Sequence, residues 1–358
     1  MGQIWKPIDN LMLVARPDHR FHNDTFQIDF EEARKGIRLV CMLAMLLAAA
    51  SAANAQDWPT RPVTMVVPFG AGGGVDVTAR ILAPRLAQIL GQQVVVENIG
   101  GAGGMTGSAR VAKAAPDGYQ FVYGNAGTHA INQTLYKHPL YNAAADFAPA
   151  GMVTHTFFTL ITRNDLPANT LPQFIAYARA NQAKMQFGSA GAGSTTHMVC
   201  VMLNTAMGTS ITHVPYRTTA VAMQDMIAGR IDFICEPILT AMAQIRGGSV
   251  KPIAFLGPRR TPVLPDLATA DENGLPAFVV SGWGAFFFPA GTPTTIVHRL
   301  SNAASQTLDT PSVRERIEGL GYDPPPPNER TPEYMEKFIP AEIVRWAAAI
   351  KAAGISND

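Results

Sequence analysis

Three glycine-rich clusters combine residue types and spacing that could hold a small molecule. They are GAGGGVD (Gly70–Asp76), NIGGAGG (Asn98–Gly104) and GSAGAGSTTH (Gly188–His197), and the first and third each run into a helical pattern. The first turn of a helix offers unpaired backbone N–H groups and the positive end of the helix dipole, so it binds anions. Glycine lets an anion approach the backbone directly. The candidates are a nucleotide phosphate, a catalytic oxyanion, a carboxylate ligand, or a tight turn without a ligand.

Motifs for several other chemistries are missing from the sequence. None of the clusters fits G-x-G-x-x-G, and there is no G-x-x-x-x-G-K-[ST], G-x-S-x-G or H-E-x-x-H. The eight histidines lack the spacing of metal ligands, and Cys200 and Cys235 do not form a zinc-type pair. We therefore expect no catalytic residue, no metal and no cofactor.

Polar side chains next to the clusters favour a small carboxylate as the ligand. They supply hydroxyl groups and one guanidinium, on Ser189, Ser194, Thr195, Tyr216 and Arg217. Charge-assisted hydrogen bonds from groups of this kind orient a carboxylate in a pocket.

Three further polar residues allow more than one interpretation. His197, in the first turn of a predicted helix, either contacts the ligand or supports the loop. Asp76 would repel an anion that it faced, so we expect it to cap the following helix or to brace the glycine loop. Glu236 either binds an amine or hydroxyl of the ligand or caps the next helix.

Strand-like apolar runs alternate with helical patterns after Trp58. Examples of strands are VTMVV (Val63–Val67) and QVVVE (Gln93–Glu97), and apolar residues recur at helical spacing through 82–90. The alternation predicts a parallel α/β sheet, in which ligands bind beyond the carboxyl ends of the strands. Kinks or breaks are expected at Pro84 and Pro340, which interrupt helical patterns.

No long linker divides the chain, so two lobes must be joined by ordered crossing segments. The candidates are FFTLITRNDLP and FVVSGWGAFFFPAGTP, because each is apolar and closed by proline. This arrangement predicts a discontinuous first lobe, 56–158 with 283–358, and a second lobe, 159–282.

The N-terminus has the pattern of a secretory signal peptide. Basic residues from Arg34 to Arg38 precede the uncharged run LVCMLAMLLAAASAA, whose last residue begins the A-x-A site Ala53-Asn54-Ala55. A transmembrane helix would need about 20 apolar residues. We therefore assign 34–55 as signal peptide, with cleavage after Ala55, and expect a periplasmic protein. Residues 1–33 reflect either a start codon placed too early or a true extension.

Composition excludes some classes of partner. The 358 residues are 47% apolar and 15% charged, with a net charge of +1. Nucleic acids and membrane surfaces require a clustered excess of basic residues, so neither is an expected partner. In an oxidising compartment, Cys200 and Cys235 could form a disulfide or remain as two buried thiols.

A series of short motifs resembles one known family. P-F-x-x-G-G-x-x-D followed by A-R stands at Pro68–Asp76 and Ala79–Arg80, V-E-N-x-x-G-A-G-G at Val96–Gly104, and A-x-P-D-G-Y at Ala114–Tyr119. GSAGAGSTTH, HVPYR, GRIDFICEP, PAGTP and RW follow in order. Together they resemble the periplasmic substrate-binding receptors of tripartite tricarboxylate transporters, also called Bug receptors, over Trp58–Ile355.

The resemblance implies a two-lobed periplasmic-binding-protein (Venus flytrap) fold, each lobe a mixed, mostly parallel sheet flanked by helices. It implies a receptor without enzymatic activity that closes over a carboxylated metabolite and delivers it to a membrane permease. We expect a monomer. The predicted ligand-binding residues are Phe69, Gly70, Ala71, Gly72, Gly73, Asp76, Asn98, Asn125, Ser189, Gly191, Gly193, Ser194, Thr195, His197, Tyr216, Arg217 and Glu236.

Two departures from the family pattern leave the identity of the acid open. Thr218 stands where the family usually has glycine, and Glu236 where it usually has aspartate. Two other functions remain as alternatives. One is a secreted enzyme acting on carboxylic acids, with Ser194 and His197 as its nucleophile and base, and the other is a ligand sensor of the same fold.

Overall fold

The computed structural model describes residues 58–356, so the predicted signal peptide, the preceding extension and the cleavage site after Ala55 lie outside the described residues. Within 58–356 the strands are β1 (Val63–Val67), β2 (Val94–Asn98), β3 (Gln120–Asn125), β4 (Phe147–Thr162), β5 (Gln186–Ser189), β6 (Thr212–Pro215), β7 (Phe233–Pro237), β8 (Lys251–Phe255) and β9 (Ser281–Pro289). The helices of this range are α1 (Gly74–Leu90), α2 (Met105–Ala112), α3 (Asn132–Leu135), α4 (Leu171–Asn181), α5 (Thr195–Met207), α6 (Thr219–Ile227), α7 (Ile238–Arg246), α8 (Thr294–Asp309), α9 (Pro311–Glu318) and α10 (Pro332–Ala353).

The strands form a mixed sheet in the order β2-β1-β3-β9-β4-β7-β5-β6, with β8 also paired to β4. Strands β2, β1 and β3 are parallel to one another, as are β6, β5 and β7. Strands β4 and β9 are antiparallel to their neighbours. The predicted α/β class, with mostly parallel strands flanked by helices, is confirmed.

Strand β4 joins the two halves of the sheet. Its residues 147–157 pair with β9, whereas 158–162 pair with β7. The two crossing segments predicted from sequence overlap β4 and β9. The boundaries proposed for the two lobes remain a prediction.

Helices cover both faces of the first half of the sheet. Successive residues of a strand point to opposite sides, so β1 buries side chains on both faces. Met65 and Val67 of β1 are buried in one apolar cluster with Leu82 of α1, whereas Val66 is buried in another with Trp346 of α10. Burying each large apolar side chain contributes about 1.5–3 kcal/mol. Strand β1 is therefore apolar almost throughout, as the sequence showed.

The helix breaks expected at proline do not occur. Helix α1 continues through Pro84 and α10 continues through Pro340. An interior proline costs about 3 kcal/mol, which burial of two large apolar side chains offsets. Leu82 and Leu86 on either side of Pro84 are both buried against the sheet.

Cys200 and Cys235 are free, buried thiols. Cys200 lies on α5 and Cys235 on β7, and the backbone N–H of Cys235 donates to Cys200 Sγ at 3.1 Å. Among residues 58–356, no helix has the length and apolar character needed to cross a bilayer.

Candidate functional site

A small cavity lies where the loops that follow the parallel strands of both halves meet. It holds about 60 Å³ of space for the centres of water-sized groups. One water needs about 10–15 Å³ measured in this way, so the cavity suits a small molecule. The lining residues are Phe69, Gly73, Gly74, Val75, Thr78, Tyr123, Asn125, Thr154, Thr156, Phe158, Ala190, Ser194, Thr195, Thr196, Thr218, Thr219, Pro237, Gly282, Trp283, Gly284 and Tyr322.

Three helices begin at this cavity. The first residues of α1, α5 and α6 all line it, and they follow strands β1, β5 and β6. Gly73 and Thr218, the residues before α1 and α6, make no side-chain capping hydrogen bond. Each helix start leaves backbone N–H groups without a partner inside the helix. The cavity is therefore surrounded by donors and by the positive ends of three helix dipoles.

No charged side chain lines the cavity among residues 58–356, and nearly half of its lining residues carry a hydroxyl. Most of these hydroxyls are already held in place. Tyr123 and Thr154 share a hydrogen bond at 3.0 Å, and Tyr322 hydrogen-bonds Thr156. Burial raises the pKa of both tyrosines, which keeps them neutral. The arrangement can bind an anion through backbone and hydroxyl donors without a lysine or arginine.

The first glycine loop, Phe69–Gly73, is braced from behind by Asp76. The Asp76 carboxylate accepts from the Gly72 N–H at 2.9 Å and from Arg80 Nε at 3.0 Å. Asn98 donates to Asp76 Oδ1 at 2.9 Å and to the Phe69 carbonyl at 3.1 Å. Burial raises the pKa of Asp76, but these hydrogen bonds outweigh it and hold the pKa below its usual value. Asp76 and Asn98 do not line the cavity.

Gly72 has a φ of +82°, a conformation that favours glycine. The structure thus gives Asp76 the contacts of a loop brace.

Of the five predicted residues in this loop, Phe69 and Gly73 line the cavity, whereas Gly70, Ala71 and Gly72 do not.

The loop before α5 is held by its own side chains. Ser194 caps the helix by accepting from the His197 N–H at 3.3 Å, and it also donates to the Gly191 carbonyl at 2.7 Å. Gly191 and Gly193 have φ values of +103° and +80°. Ser194 and Thr195 line the cavity, whereas Ser189, Gly191 and Gly193 stand behind it.

Two neutral histidines support this loop. His197 Nδ1 accepts from the Gly193 N–H at 3.3 Å, and His213 Nε2 is 2.7 Å from Ser189 Oγ. Burial lowers the pKa of His197 to about 4 and that of His213 to about 3. His197 does not line the cavity. Of its two possible roles, its contacts are those of loop support.

The loops of the two halves touch one another beside the cavity. The Gly70 N–H donates to the Arg217 carbonyl at 3.4 Å, and the Gly127 N–H donates to Thr195 Oγ1 at 3.0 Å. A methyl group on Gly103 would lie 2.1 Å from the Ala192 carbonyl oxygen. The backbones of the second and third glycine clusters are therefore in direct contact.

Tyr216 and Arg217 do not line the cavity, although both are predicted ligand residues. The Tyr216 hydroxyl donates to Asp225 at 2.9 Å, and the Arg217 side chain is exposed. Only the Arg217 backbone contacts the opposite loop. Asn125, by contrast, does line the cavity, and its side chain accepts from the Thr128 N–H at 3.1 Å.

Glu236 is buried directly behind the cavity wall, with 1% of its surface exposed. Its Oε1 accepts from Thr219 Oγ1 at 2.8 Å and from the Thr240 hydroxyl, and its Oε2 has no partner among the described residues. Burial raises its pKa to about 7, against the effect of those hydrogen bonds. Both donors are side-chain hydroxyls, so Glu236 does not cap a helix.

Several lining residues escaped the sequence analysis. Thr154, Thr156 and Phe158 alternate along β4, and Trp283 lies on β9. The predicted crossing segments contain Phe158 and Trp283 and could have identified these two, because a crossing strand must pass the cleft. Thr154 and Thr156 precede the predicted segment. Nothing in the sequence indicated Tyr322.

Buried Glu342 holds the Trp283 ring at the cavity. Its Oε2 accepts from Trp283 Nε1 at 2.7 Å and from Trp346 Nε1 at 3.2 Å. The C-terminal helix α10, which carries Glu342, therefore positions one wall of the site.

Comparisons with known proteins agree with this geometry. A family model described as the tripartite tricarboxylate transporter family receptor matches residues 78–355. An Agrobacterium vitis protein, named UPF0065 protein in the TAR-I ttuE-ttuC' intergenic region, is 40% identical over 316 residues, covering 87% of this chain and 91% of its own.

Solved structures are similar over most of their length. The periplasmic binding protein BugD has a TM-score of 0.81 at 38% identity, with 84% of this chain and 100% of BugD covered. MatC from Rhodopseudomonas palustris, solved with bound malate, has a TM-score of 0.79 at 37% identity, with 82% of this chain and 100% of MatC covered.

Proposed function

Because the chain belongs to the tripartite tricarboxylate transporter receptor family, we propose that it binds a small carboxylate in this cavity and delivers it to a membrane permease. Periplasmic solute binding is the function of the family and of the similar BugD structure. The carboxylate, the permease and the export of this chain are the proposed parts.

The convergence of three helix N-termini on one cavity is the observation that carries the carboxylate proposal. The starts of α1, α5 and α6 supply N–H donors, and no acidic side chain among residues 58–356 lines the cavity to repel an anion. The Thr195 hydroxyl accepts from the Gly127 N–H and keeps its hydrogen, so it adds one further donor. The malate in the MatC structure is an anion of this class and size.

Ligand binding is proposed to work through closure of the two halves. The wall from α1 belongs to one half of the sheet, and the walls from α5 and α6 belong to the other. An anion that touches all three walls stabilises the closed arrangement, because these contacts exist together only when the halves meet. The proposed lobe boundaries, at 158/159 and 282/283, lie within two residues of the point where β4 changes partner and of the start of β9.

The enzyme alternative lacks its central contact. Ser194 Oγ accepts from the backbone N–H of His197, while the His197 ring accepts from the Gly193 N–H. Within 58–356, no hydrogen bond joins the Ser194 hydroxyl to the His197 ring. A nucleophile needs a base within hydrogen-bond reach, so we propose that the chain has no catalytic activity.

A thermal-shift screen tests the proposal. The purified protein is heated with a panel of mono-, di- and tricarboxylates and aromatic acids, and each positive acid is repeated as its uncharged amide. Binding at a hundredfold excess over Kd contributes about 2.7 kcal/mol, which raises Tm by several degrees. A flat panel, with no acid released on denaturation and detected by mass spectrometry, overturns the proposal. Equal shifts with acids and amides also overturn it.

A further inference from the structure

Two adjacent threonines at the start of α6 face the cavity but have opposite hydrogen-bonding states. Thr218 and Thr219 both line the cavity, and they are 5% and 3% exposed. A hydroxyl has one hydrogen to donate and two lone pairs that accept. What each threonine offers a ligand therefore depends on where its hydrogen goes.

Thr219 can only accept hydrogen bonds from the cavity. Its Oγ1 donates to Glu236 Oε1 at 2.8 Å, and this carboxyl is buried behind the wall. Its hydrogen is thus directed away from the ligand. The lone pairs of Thr219 are not used by that bond and stay free to accept.

Thr218 is free to donate. It precedes α6 yet makes no side-chain capping bond, and its Oγ1 is a buried atom without a partner among the described residues. The other wall stays close to it, because a methyl group on Gly73 would lie 2.8 Å from Thr218 Oγ1. A buried hydroxyl without a partner costs about 1–3 kcal/mol, so a ligand group that accepts from it gains affinity.

We propose that Thr218 and Thr219 form a subsite for an alcohol hydroxyl of the ligand, so that the bound acid is a hydroxycarboxylate. The subsite rests on the proposed function, since the helix N-termini hold the carboxylate. An alcohol accepts from Thr218 and donates to Thr219. An ammonium group cannot accept from Thr218, and no carboxylate from the described residues 58–356 lines the cavity to pair with it. A second carboxylate would meet the lone pairs of Thr219.

Matched ligand pairs measured by titration calorimetry test this subsite. The pairs are propionate with lactate, succinate with malate, and glutarate with 2-hydroxyglutarate. In the wild-type protein, the hydroxylated member of the pair that fits binds roughly ten-fold more tightly, the effect of one buried hydrogen bond.

Four variants and a control locate the effect. Thr218→Val and Thr219→Val each remove the preference, while Thr218→Ser and Thr219→Ser retain it. Thr205→Val, at an exposed helical threonine outside the cavity, also retains it. The serine variants keep the hydroxyl at each position. They therefore show whether loss of the preference for the hydroxylated acid follows from loss of the hydroxyl or from damage to the fold.

Each outcome decides between the proposals. Equal affinity for both members of every binding pair overturns the hydroxyl subsite and leaves carboxylate binding intact. A preference that survives both valine substitutions also overturns it. A protein that binds no member of the pairs, and no acid of the wider panel, overturns the proposed function itself.

Discussion

The buried Glu236 carboxyl should make the protein less stable as the pH rises. Its folded-state pKa is raised from 4.5 to about 7 by burial. Between these values the folded state binds more protons than the unfolded state, so the free energy of unfolding falls with increasing pH. Glu236→Gln keeps the shape of the protonated acid and cannot ionise. The variant should therefore lose this part of the pH dependence.

The size of the effect follows from the two pKa values. With these pKa values, ionisation of Glu236 lowers the free energy of unfolding of the wild-type protein by about 2.5 kcal/mol between pH 5 and pH 8. For a chain of this length, that corresponds to a difference in Tm of roughly 5 °C. At pH 5, wild type and Glu236→Gln should differ little, because the carboxyl is then protonated when folded.

Urea unfolding of the unliganded protein at pH 5, 6, 7 and 8 measures the difference between wild type and variant. Other titrating groups contribute equally to both proteins and cancel. Glu336→Gln, which removes an exposed carboxylate, serves as the control and should parallel wild type. A difference between wild type and Glu236→Gln that stays constant from pH 5 to pH 8 would refute the reasoning.

Three further predictions concern the loops and walls of the site. Gly103→Ala should lower ligand affinity more than ten-fold by separating the second and third glycine loops. The control Gly208→Ala has a similar positive φ but open space around it, so it should change only Tm. Calorimetry measures the affinity and melting curves measure Tm. Asp76→Asn should destabilise the protein at pH 7, and progressively less as acid protonates wild-type Asp76. A carboxyl with a lowered pKa stabilises the fold only above that pKa. In urea unfolding, a difference in the free energy of unfolding between wild type and variant that does not change with pH would contradict this. Glu342→Ala should lower the free energy of unfolding by about 2–4 kcal/mol, because it leaves two indole N–H groups unpaired. Intrinsic fluorescence should report a changed environment of Trp283. An unchanged emission spectrum would contradict the positioning role of Glu342.

Local features of the site could be predicted from the sequence. A glycine run between a strand and a helix is encoded within about ten residues, and the predicted ligand residues Phe69, Gly73, Ser194 and Thr195 line the cavity. Strand predictions were equally local, and β2 differs from its predicted range by one residue at each end.

Features that depend on distant pairing could not be predicted. The ring at Tyr322 reaches the cavity from a turn between α9 and α10, and no local pattern encodes that contact. Arg217 illustrates the opposite case. A guanidinium next to a candidate loop suggested a charged contact, but the structure uses the Arg217 carbonyl and leaves its side chain exposed.

The position of β9 has a consequence for how the chain reaches this structure. It is the last of the described strands in sequence, yet it lies between β3 and β4 in the sheet. Until residues 281–289 have been synthesised, β3 and the first part of β4 have no partner on that side, and their edges are exposed to other chains. Loop closure over such a distance slows folding, and the sheet cannot be completed before β9 has been synthesised. Late completion of the sheet is compatible with the proposed export, because an unfolded chain is the form that threads across a membrane.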